Sequence, residues 1–257
     1  MKTSNPIFSE GALQKAAVFT DSQPMTVMGA VNKTYILLAL LIGAAFFVWQ
    51  KAMALVLPGQ TIQYSSAMAA VGMYIMVGAI GGFILGLITV FKANWVKVTA
   101  PLYAVFEGLF IGGLSAIFEL QYPGIVLNAV ALTFATLLCL LTAYRTGMVK
   151  VTDKFRAGIF AATGAVCLIY LATWILSFFH VQIPGIYGHG AVGIGFSLIV
   201  VVIAALNLVL DFDFIERGAE QGLPKYMEWY GAFGLMVTLV WLYLEILNLL
   251  YKLRSRD

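Results

Sequence analysis

Charged residues are scarce in this chain of 257 residues. Asp, Glu, Lys and Arg make up 11% of the sequence, whereas hydrophobic residues make up 61% of it. Soluble domains average about 25% charged residues, so this chain has too little polar surface to cover a globule in water. The sequence therefore predicts an integral membrane protein whose outer surface contacts the lipid bilayer.

Cysteine and histidine are also rare, with two residues of each type. Cys139 and Cys167 lie within apolar segments, so we expect buried thiols that pack as small hydrophobic residues and no disulfide framework. His180 and His189 share one loop, and no group of potential ligands has the spacing of a zinc site. Basic residues form no stripe that would bind nucleic acid. Because no catalytic motif or phosphate-binding glycine loop is present either, we expect no enzyme activity and no organic cofactor.

Seven apolar segments are each long enough to cross about 30 Å of hydrocarbon as a helix. This predicts an all-α integral membrane fold with seven transmembrane helices. We expect residues 1–33 to form a flexible cytoplasmic leader, residues 34–251 the transmembrane domain and residues 252–257 a basic tail. Glycines at four-residue spacing, at positions 78, 82 and 86, indicate close helix packing. The predicted spans cover residues 34–56, 66–91, 99–118, 125–144, 157–179, 191–210 and 228–251.

The distribution of Lys and Arg predicts the orientation of the chain in the membrane. The leader and the second, fourth and sixth loops hold eleven of the fifteen Lys and Arg residues, whereas the first, third and fifth loops hold only Lys51. This places the N-terminus in the cytoplasm. Seven full spans then place the C-terminus outside, whereas Lys252, Arg254 and Arg256 favour the cytoplasmic side. A re-entrant segment near the end of the chain is therefore an alternative.

Acidic residues within the predicted spans are the strongest functional candidates. An ionised carboxylate at the bilayer centre costs at least about 2.5 kcal/mol, so such a residue usually faces the protein interior or a water-filled path. Glu107 and Glu245 lie well inside spans, and Asp211 and Asp213 follow the sixth span closely. Residues 211 and 213 point about 200° apart on a helix, which predicts that one of them faces the bundle core. A hydrogen bond to a neighbouring hydroxyl or indole group is the alternative role for such an acid.

Two carboxyl groups that meet away from water share one proton, because both cannot ionise cheaply. The protonated pair joins two helices by a hydrogen bond. The deprotonated pair repels, and it also offers oxygen ligands to a hard cation such as calcium. Acids from the last two helices therefore predict a pH-sensitive gate, a cation site, or both.

Several segments resemble the transmembrane Bax inhibitor motif family. Residues 242–249, Leu-Tyr-Leu-Glu-Ile-Leu-Asn-Leu, are similar to the last-helix motif Leu-Tyr-Leu-Asp-Ile-Ile-Asn-Leu of that family. Residues 211–215, Asp-Phe-Asp-Phe-Ile, resemble its sixth-helix motif Asp-Thr-Gln-x-Ile, and residues 108–133 resemble its third-to-fourth helix signature. The resemblance covers most of the chain from the third helix onward.

This resemblance implies two three-helix layers around a central C-terminal helix. It also implies a pH-sensitive calcium leak channel, gated by a hydrogen-bonded pair at Asp211 and Glu245, and we expect this channel to lie in a bacterial inner membrane. Asp213 is a substitute for Asp211, because the stretch between the two acids is longer than the family usually has. We expect calcium, as a transported or bound ion, to contact Asp211, Asp213 and Glu245. The basic residue that the family places against the pair is not fixed, and Lys92 and Lys97 are candidates.

A second function is consistent with the same residues. The chain could be a non-conducting regulator that interacts with a membrane protease or a stress-response protein, with the acids serving only to lock helices together. In the first function Glu107 would line the ion path, whereas in the second it would be a packing residue. A calcium flux measurement separates the two functions.

Overall fold

The described part of the chain is a bundle of seven long helices. The computed structural model describes residues 23–54, 64–179, 188 and 190–255, and no β-strand occurs among them. All seven helices are long and apolar enough to cross a membrane, which confirms the all-α transmembrane prediction. Both histidines lie outside the described residues. The helices are α1 (Val27–Met53), α2 (Tyr64–Phe91), α3 (Val96–Gln121), α4 (Ile125–Arg145), α5 (Asp153–Phe178), α6 (Ala191–Glu220) and α7 (Met227–Arg254).

Two helices extend at one end by seven residues or more beyond the limits predicted from hydropathy. The first begins at Val27, because the Thr26 hydroxyl accepts a hydrogen bond from the backbone N–H of Gly29 at 2.9 Å and caps the helix. Residues 27–33 are therefore helical, and not part of a flexible leader; residues 1–22 lie outside the described residues. Helix α6 continues past the predicted end at residue 210 to Glu220. Hydropathy locates the apolar stretch of a helix, and it misses polar turns at either end.

Helix α7 is the most buried helix of the bundle, with half of its 28 residues buried. It packs against α1, α3, α4 and α6. Helices α1, α2 and α3 contact one another, and α6 contacts both α4 and α5. The central position of the last helix is thus observed, whereas the division of the other six helices into two layers stays a prediction.

Glycines allow close packing between the first three helices. A methyl group added at Gly78 of α2 would collide with the backbone of α3, and one added at Gly108 of α3 would collide with the backbone of α1 at Leu41. Small residues are how helices associate in lipid, where no hydrophobic drive brings them together. The packing role predicted for the glycine spacing in α2 is therefore confirmed at Gly78.

The two ends of the described chain lie at opposite ends of the bundle. The N–H of Met25 donates to the carbonyl of Leu223 at 2.8 Å, next to the start of α7. At the other end of α7, the Arg254 guanidinium donates to the carbonyl of Pro123, in the α3–α4 connection, at 2.8 Å. Because α7 runs from one end to the other, it crosses fully and is not re-entrant. Which end faces the cytoplasm stays a prediction.

The two cysteines differ from the prediction. Cys139 and Cys167 are exposed on the outside of α4 and α5, and both are free thiols. The outer face of a membrane helix is as apolar as its inner face. Hydropathy therefore cannot distinguish a lipid-facing cysteine from a buried one.

Candidate functional site

Asp211 lies in the contact between α6 and the central helix α7. Its carboxylate is hydrogen bonded by Thr238 of α7, and it faces Gly234, where an added Cβ would lie 3.6 Å from Oδ1. The other oxygen, Oδ2, is buried and has no hydrogen-bond partner among the described residues. Buried polar atoms are nearly always satisfied, so this oxygen marks a place where a proton, a water molecule or a cation would be stabilised.

Glu245 lies in α7 and faces α5. Its Oε1 accepts a hydrogen bond from the Tyr170 hydroxyl at 2.8 Å and one from the Trp241 indole N–H at 3.2 Å. The side chain is 6% exposed. These are the hydroxyl and indole contacts that the sequence offers as an alternative to an acid pair, and they connect the central helix to α5.

The structure does not join the two acids by a hydrogen bond. Asp211 contacts α7 at Thr238, which precedes Glu245 by seven residues, or about 10.5 Å along a helix axis. Each carboxylate therefore has its own surroundings in the described structure. The hydrogen-bonded pair of Asp211 and Glu245 stays a prediction.

Asp213 is held by two arginines. Its Oδ2 accepts a hydrogen bond from Arg156 of α5 at 2.6 Å, and its Oδ1 accepts one from Arg217 at 2.9 Å. Asp213 is buried, but its partners lie in α5 and α6, whereas Asp211 contacts the central helix α7. Helix α6 is covered on two sides, by α7 at Asp211 and by the start of α5 at Asp213, which lets both acids point into the protein.

The three acids do not come together as one calcium site. Calcium takes six to eight oxygen ligands, whereas both oxygens of Asp213 are already paired with Arg156 and Arg217. Across the described part of the chain, no group of three or more His, Cys, Asp and Glu residues could hold a metal ion. Of these three acids, Asp211 and Glu245 accept no hydrogen bond from an arginine among the described contacts.

Glu107 lies apart from these acids, between α2 and α3. It is hydrogen bonded to Tyr103, one turn earlier in α3. A Cβ added at Gly82 of α2 would lie 3.0 Å from its Oε2, so the glycine makes room for the carboxylate. Tyr103 in turn packs edge-on against Phe233 of α7, with 5.0 Å between ring centroids. Tyr103 therefore connects Glu107 to the central helix.

A comparison with known families decides how the chain is classified. The family model described as Bax inhibitor 1 like matches residues 5–255, nearly the whole chain. The chain belongs to this family. The match confirms the resemblance seen from the third helix onward and extends it over the first two helices. No curated protein and no solved structure matches the chain in the corresponding comparisons.

Lys252 of this Bax inhibitor 1 like protein, which we expected in the basic tail, is buried at the end of α7. Its Nζ donates to the Ser197 hydroxyl at 2.8 Å and to the Gly193 carbonyl at 3.2 Å. It also interacts electrostatically with Glu245, two turns earlier on the same face of α7. Ser197 and Lys252 are only 1% and 3% exposed. The contact ties the end of α7 to the start of α6.

The two lysines suggested as partners of the acid pair lie elsewhere. Lys92 and Lys97 are both exposed, and the Lys92 ammonium lies 4.4 Å from the centre of the Trp95 ring. The seven-residue spacing between Glu245 and Lys252 could have identified Lys252 as a partner of Glu245 from the sequence. Residues seven apart share one helix face, so a lysine two turns after an intramembrane acid is a candidate partner.

Glu228 forms a second buried charge cluster, in the first turn of α7. It is fully buried, and its Oε1 accepts hydrogen bonds from the N–H and the hydroxyl of Thr26 at 2.9 and 3.0 Å. Lys33 of α1 and Lys225 form ion pairs with it at 2.5 and 2.8 Å. The position of Glu228 in the first turn of the last helix agrees with the sequence. Its ion pair with Lys33 could not be predicted, because the two residues lie 195 positions apart. This cluster fixes the start of α1 against the start of α7.

Replacing Glu228 by alanine is expected to lower the free energy of unfolding by about 2 to 3 kcal/mol, because it removes the acceptor of the Thr26 N–H and leaves the Lys33 ammonium with the Gly29 carbonyl at 3.5 Å. Glu220→Ala, at an exposed acid near the end of α6, is the matched control and should change stability little. Denaturant titration in detergent micelles measures both. Equal effects of the two substitutions would contradict the role of the cluster.

Proposed function

We propose that this protein is a proton-controlled leak pathway for calcium across a bacterial inner membrane, with its N-terminus in the cytoplasm. The family is associated with calcium leak. The observation that carries the proposal is the buried and unpartnered Oδ2 of Asp211 at the contact between α6 and α7. An intramembrane acid with an unsatisfied oxygen is a functional candidate on physical grounds.

Protonation of Asp211 would alter the contact between the two helices. With a proton, the carboxyl group is neutral and can stay in the contact beside Gly234. Without the proton, the buried charge has one hydroxyl partner, Thr238, and it favours entry of water or a cation. Entry of a hydrated ion at this point would require α6 and α7 to separate, because the Asp211 carboxylate lies within van der Waals distance of a Cβ added at Gly234.

Glu245 is the second acid on the proposed path. Its hydrogen-bond donors, Tyr170 and Trp241, are neutral, and the positive charge that acts on it is Lys252, two turns later on the same helix. Asp213 is less available because two arginines neutralise it, and Glu107 is a secondary candidate beside α2. A leak pathway does not need a closed site of several carboxylates, since an ion that binds too tightly does not leave.

The test is calcium flux into proteoliposomes that contain the purified protein, measured at a series of pH values. We expect a flux that depends on pH in the wild type and a flux that loses this dependence in the Asp211→Asn, Glu245→Gln double variant. Asp153→Asn, at an exposed acid in the first turn of α5, should behave as the wild type. An unchanged flux and pH response in the double variant would refute the assignment.

A non-conducting membrane regulator is the second candidate. The hydrogen bonds from Tyr170 and Trp241 to Glu245 favour it, because they are what an acid that only locks helices would make. In this function the protein binds membrane protein partners. Neither function includes an enzymatic step. Folded protein that passes no calcium at any pH would support the regulator and exclude the leak pathway.

A further inference from the structure

A crevice of about 420 Å³ opens between α1 and α4 on the side of the bundle. Its inner wall comes from α3 and α7, where Ile111 and Leu239 are 6% and 5% exposed. Apolar side chains form most of the lining. A few polar groups lie among them, including the Ser115 and Tyr243 hydroxyls, which are hydrogen bonded to each other at 2.6 Å. The volume falls within the range of about 300 to 1,000 Å³ for small-molecule sites.

The mouth of the crevice faces the hydrocarbon of the bilayer. On α1, Ile42 and Phe46 line the crevice and are 53% and 58% exposed; on α4, Leu127 and Phe134 are 74% and 40% exposed. Both helices are transmembrane spans. The molecules at the mouth are therefore lipid chains, not water.

The long axis of the crevice runs parallel to the helices. On α4 the lining extends from Val126 to Phe134, eight residue steps that cover about 12 Å at 1.5 Å per residue. One end lies at the α3–α4 connection, where Glu119 accepts hydrogen bonds from the N–H groups of Gly124 and Val126. Helices end there, so this end of the crevice is at the membrane surface and the other end is inside the bilayer.

We propose that this crevice binds one acyl chain of a membrane phospholipid, with the headgroup at the α3–α4 connection. An empty apolar cavity forfeits dispersion contacts, and water finds few hydrogen-bond partners in it. A lipid chain enters sideways, lies along the helices and contacts α7 directly. Basic groups at the same end, Lys51 at the end of α1 and Arg254 at the end of α7, complement a phosphate group. Glu119 lies at the same end, and the backbone N–H groups of Gly124 and Val126 hydrogen bond both of its oxygens, so the two basic groups, and not this acid, would contact the phosphate.

Photolabelling in lipid nanodiscs tests this proposal without any measurement of ion flux. The protein is placed in phosphatidylethanolamine and phosphatidylglycerol with a trace of phospholipid that carries a diazirine on one acyl chain. After irradiation, mass spectrometry locates the labelled residues. We expect label on Leu239 and Val240 of α7, which line the crevice and are 5% and 8% exposed. Lipids on the outer surface alone would not reach them.

A matched pair of variants controls the assignment. Val130→Trp fills the mouth of the crevice and should lower labelling of α7 severalfold. Leu132→Trp lies on the same helix, is 47% exposed and points about 200° away, so it should leave the labelling unchanged. Absence of label from α7 in the wild type would overturn the proposal even if Val130→Trp failed to fold. Equal labelling in the two variants, or labelling by a diazirine fatty acid and not by the phospholipid, would also overturn it.

Discussion

Asp211→Asn and Glu245→Gln are expected to change the pH dependence of calcium flux independently of each other. The two carboxylates have different partners, Thr238 for Asp211 and Tyr170 with Trp241 for Glu245. Residues that share no partner usually give additive effects, within about 0.5 kcal/mol. The Asp211 substitution should have the larger effect, because its Oδ2 has no hydrogen-bond partner among the described residues.

A double-mutant cycle measures this independence. The ratio of calcium flux at two pH values is determined in proteoliposomes for the wild type, both single variants and the double variant, and each ratio is converted to a free energy. Asp153→Asn serves as the control for the loss of one negative charge. A coupling of more than about 1 kcal/mol would contradict independence. It would show that the two carboxyl groups meet in another conformation, as the family resemblance implies.

The architecture could be predicted because lipid imposes a simple condition on the sequence. A span needs about 20 apolar residues, and this chain provides seven such stretches, each of which is a helix in the structure. The same condition makes acids stand out, since a carboxylate within a span is costly. Asp211, Asp213 and Glu245 were therefore identified from the sequence, and all three are inside the bundle.

The partners of these acids could not be predicted, because they depend on how each helix is rotated and on contacts between distant segments. Arg156 lies 57 positions before Asp213, and Tyr170 lies 75 positions before Glu245. In a soluble protein, the polar face of a helix points to water and so indicates how the helix is rotated about its axis. The helices here are apolar on nearly all sides, so the inner face of the span that contains Cys167 cannot be distinguished from its lipid face.

Lys252 illustrates a related limit of the positive-inside rule. The rule counts basic residues near span ends as loop charges. Counted in this way, Lys252 argues against a C-terminus on the outer side of the membrane. The structure shows its ammonium group turned into the bundle toward Ser197 and Gly193. A lysine that is satisfied within the protein does not report the orientation of the chain, so the objection from this residue is removed.

Gly108→Leu is expected to lower the free energy of unfolding by about 3 kcal/mol or to prevent folding, which is the largest stability effect predicted here. A Cβ at this position would overlap the carbonyl of Leu41 and approach the Cβ of Ala44 at 2.8 Å. Overpacking costs about 1 to 3 kcal/mol where side chains can adjust, and a backbone carbonyl adjusts least. The contact between α3 and α1 would have to open, and α7 packs against both of these helices.

Gly43→Leu is the matched control, because it makes the same change in a transmembrane helix where no atom lies within 4 Å of an added Cβ. Both variants gain the same helix propensity, since leucine is a better helix former than glycine by up to about 1 kcal/mol. Thermal unfolding in detergent, followed by circular dichroism and by the amount of monodisperse protein, measures the difference. Equal stability of the two variants would mean that α1 and α3 do not pack backbone to backbone at Gly108. The contacts of α7 with these two helices would then be wrong as well.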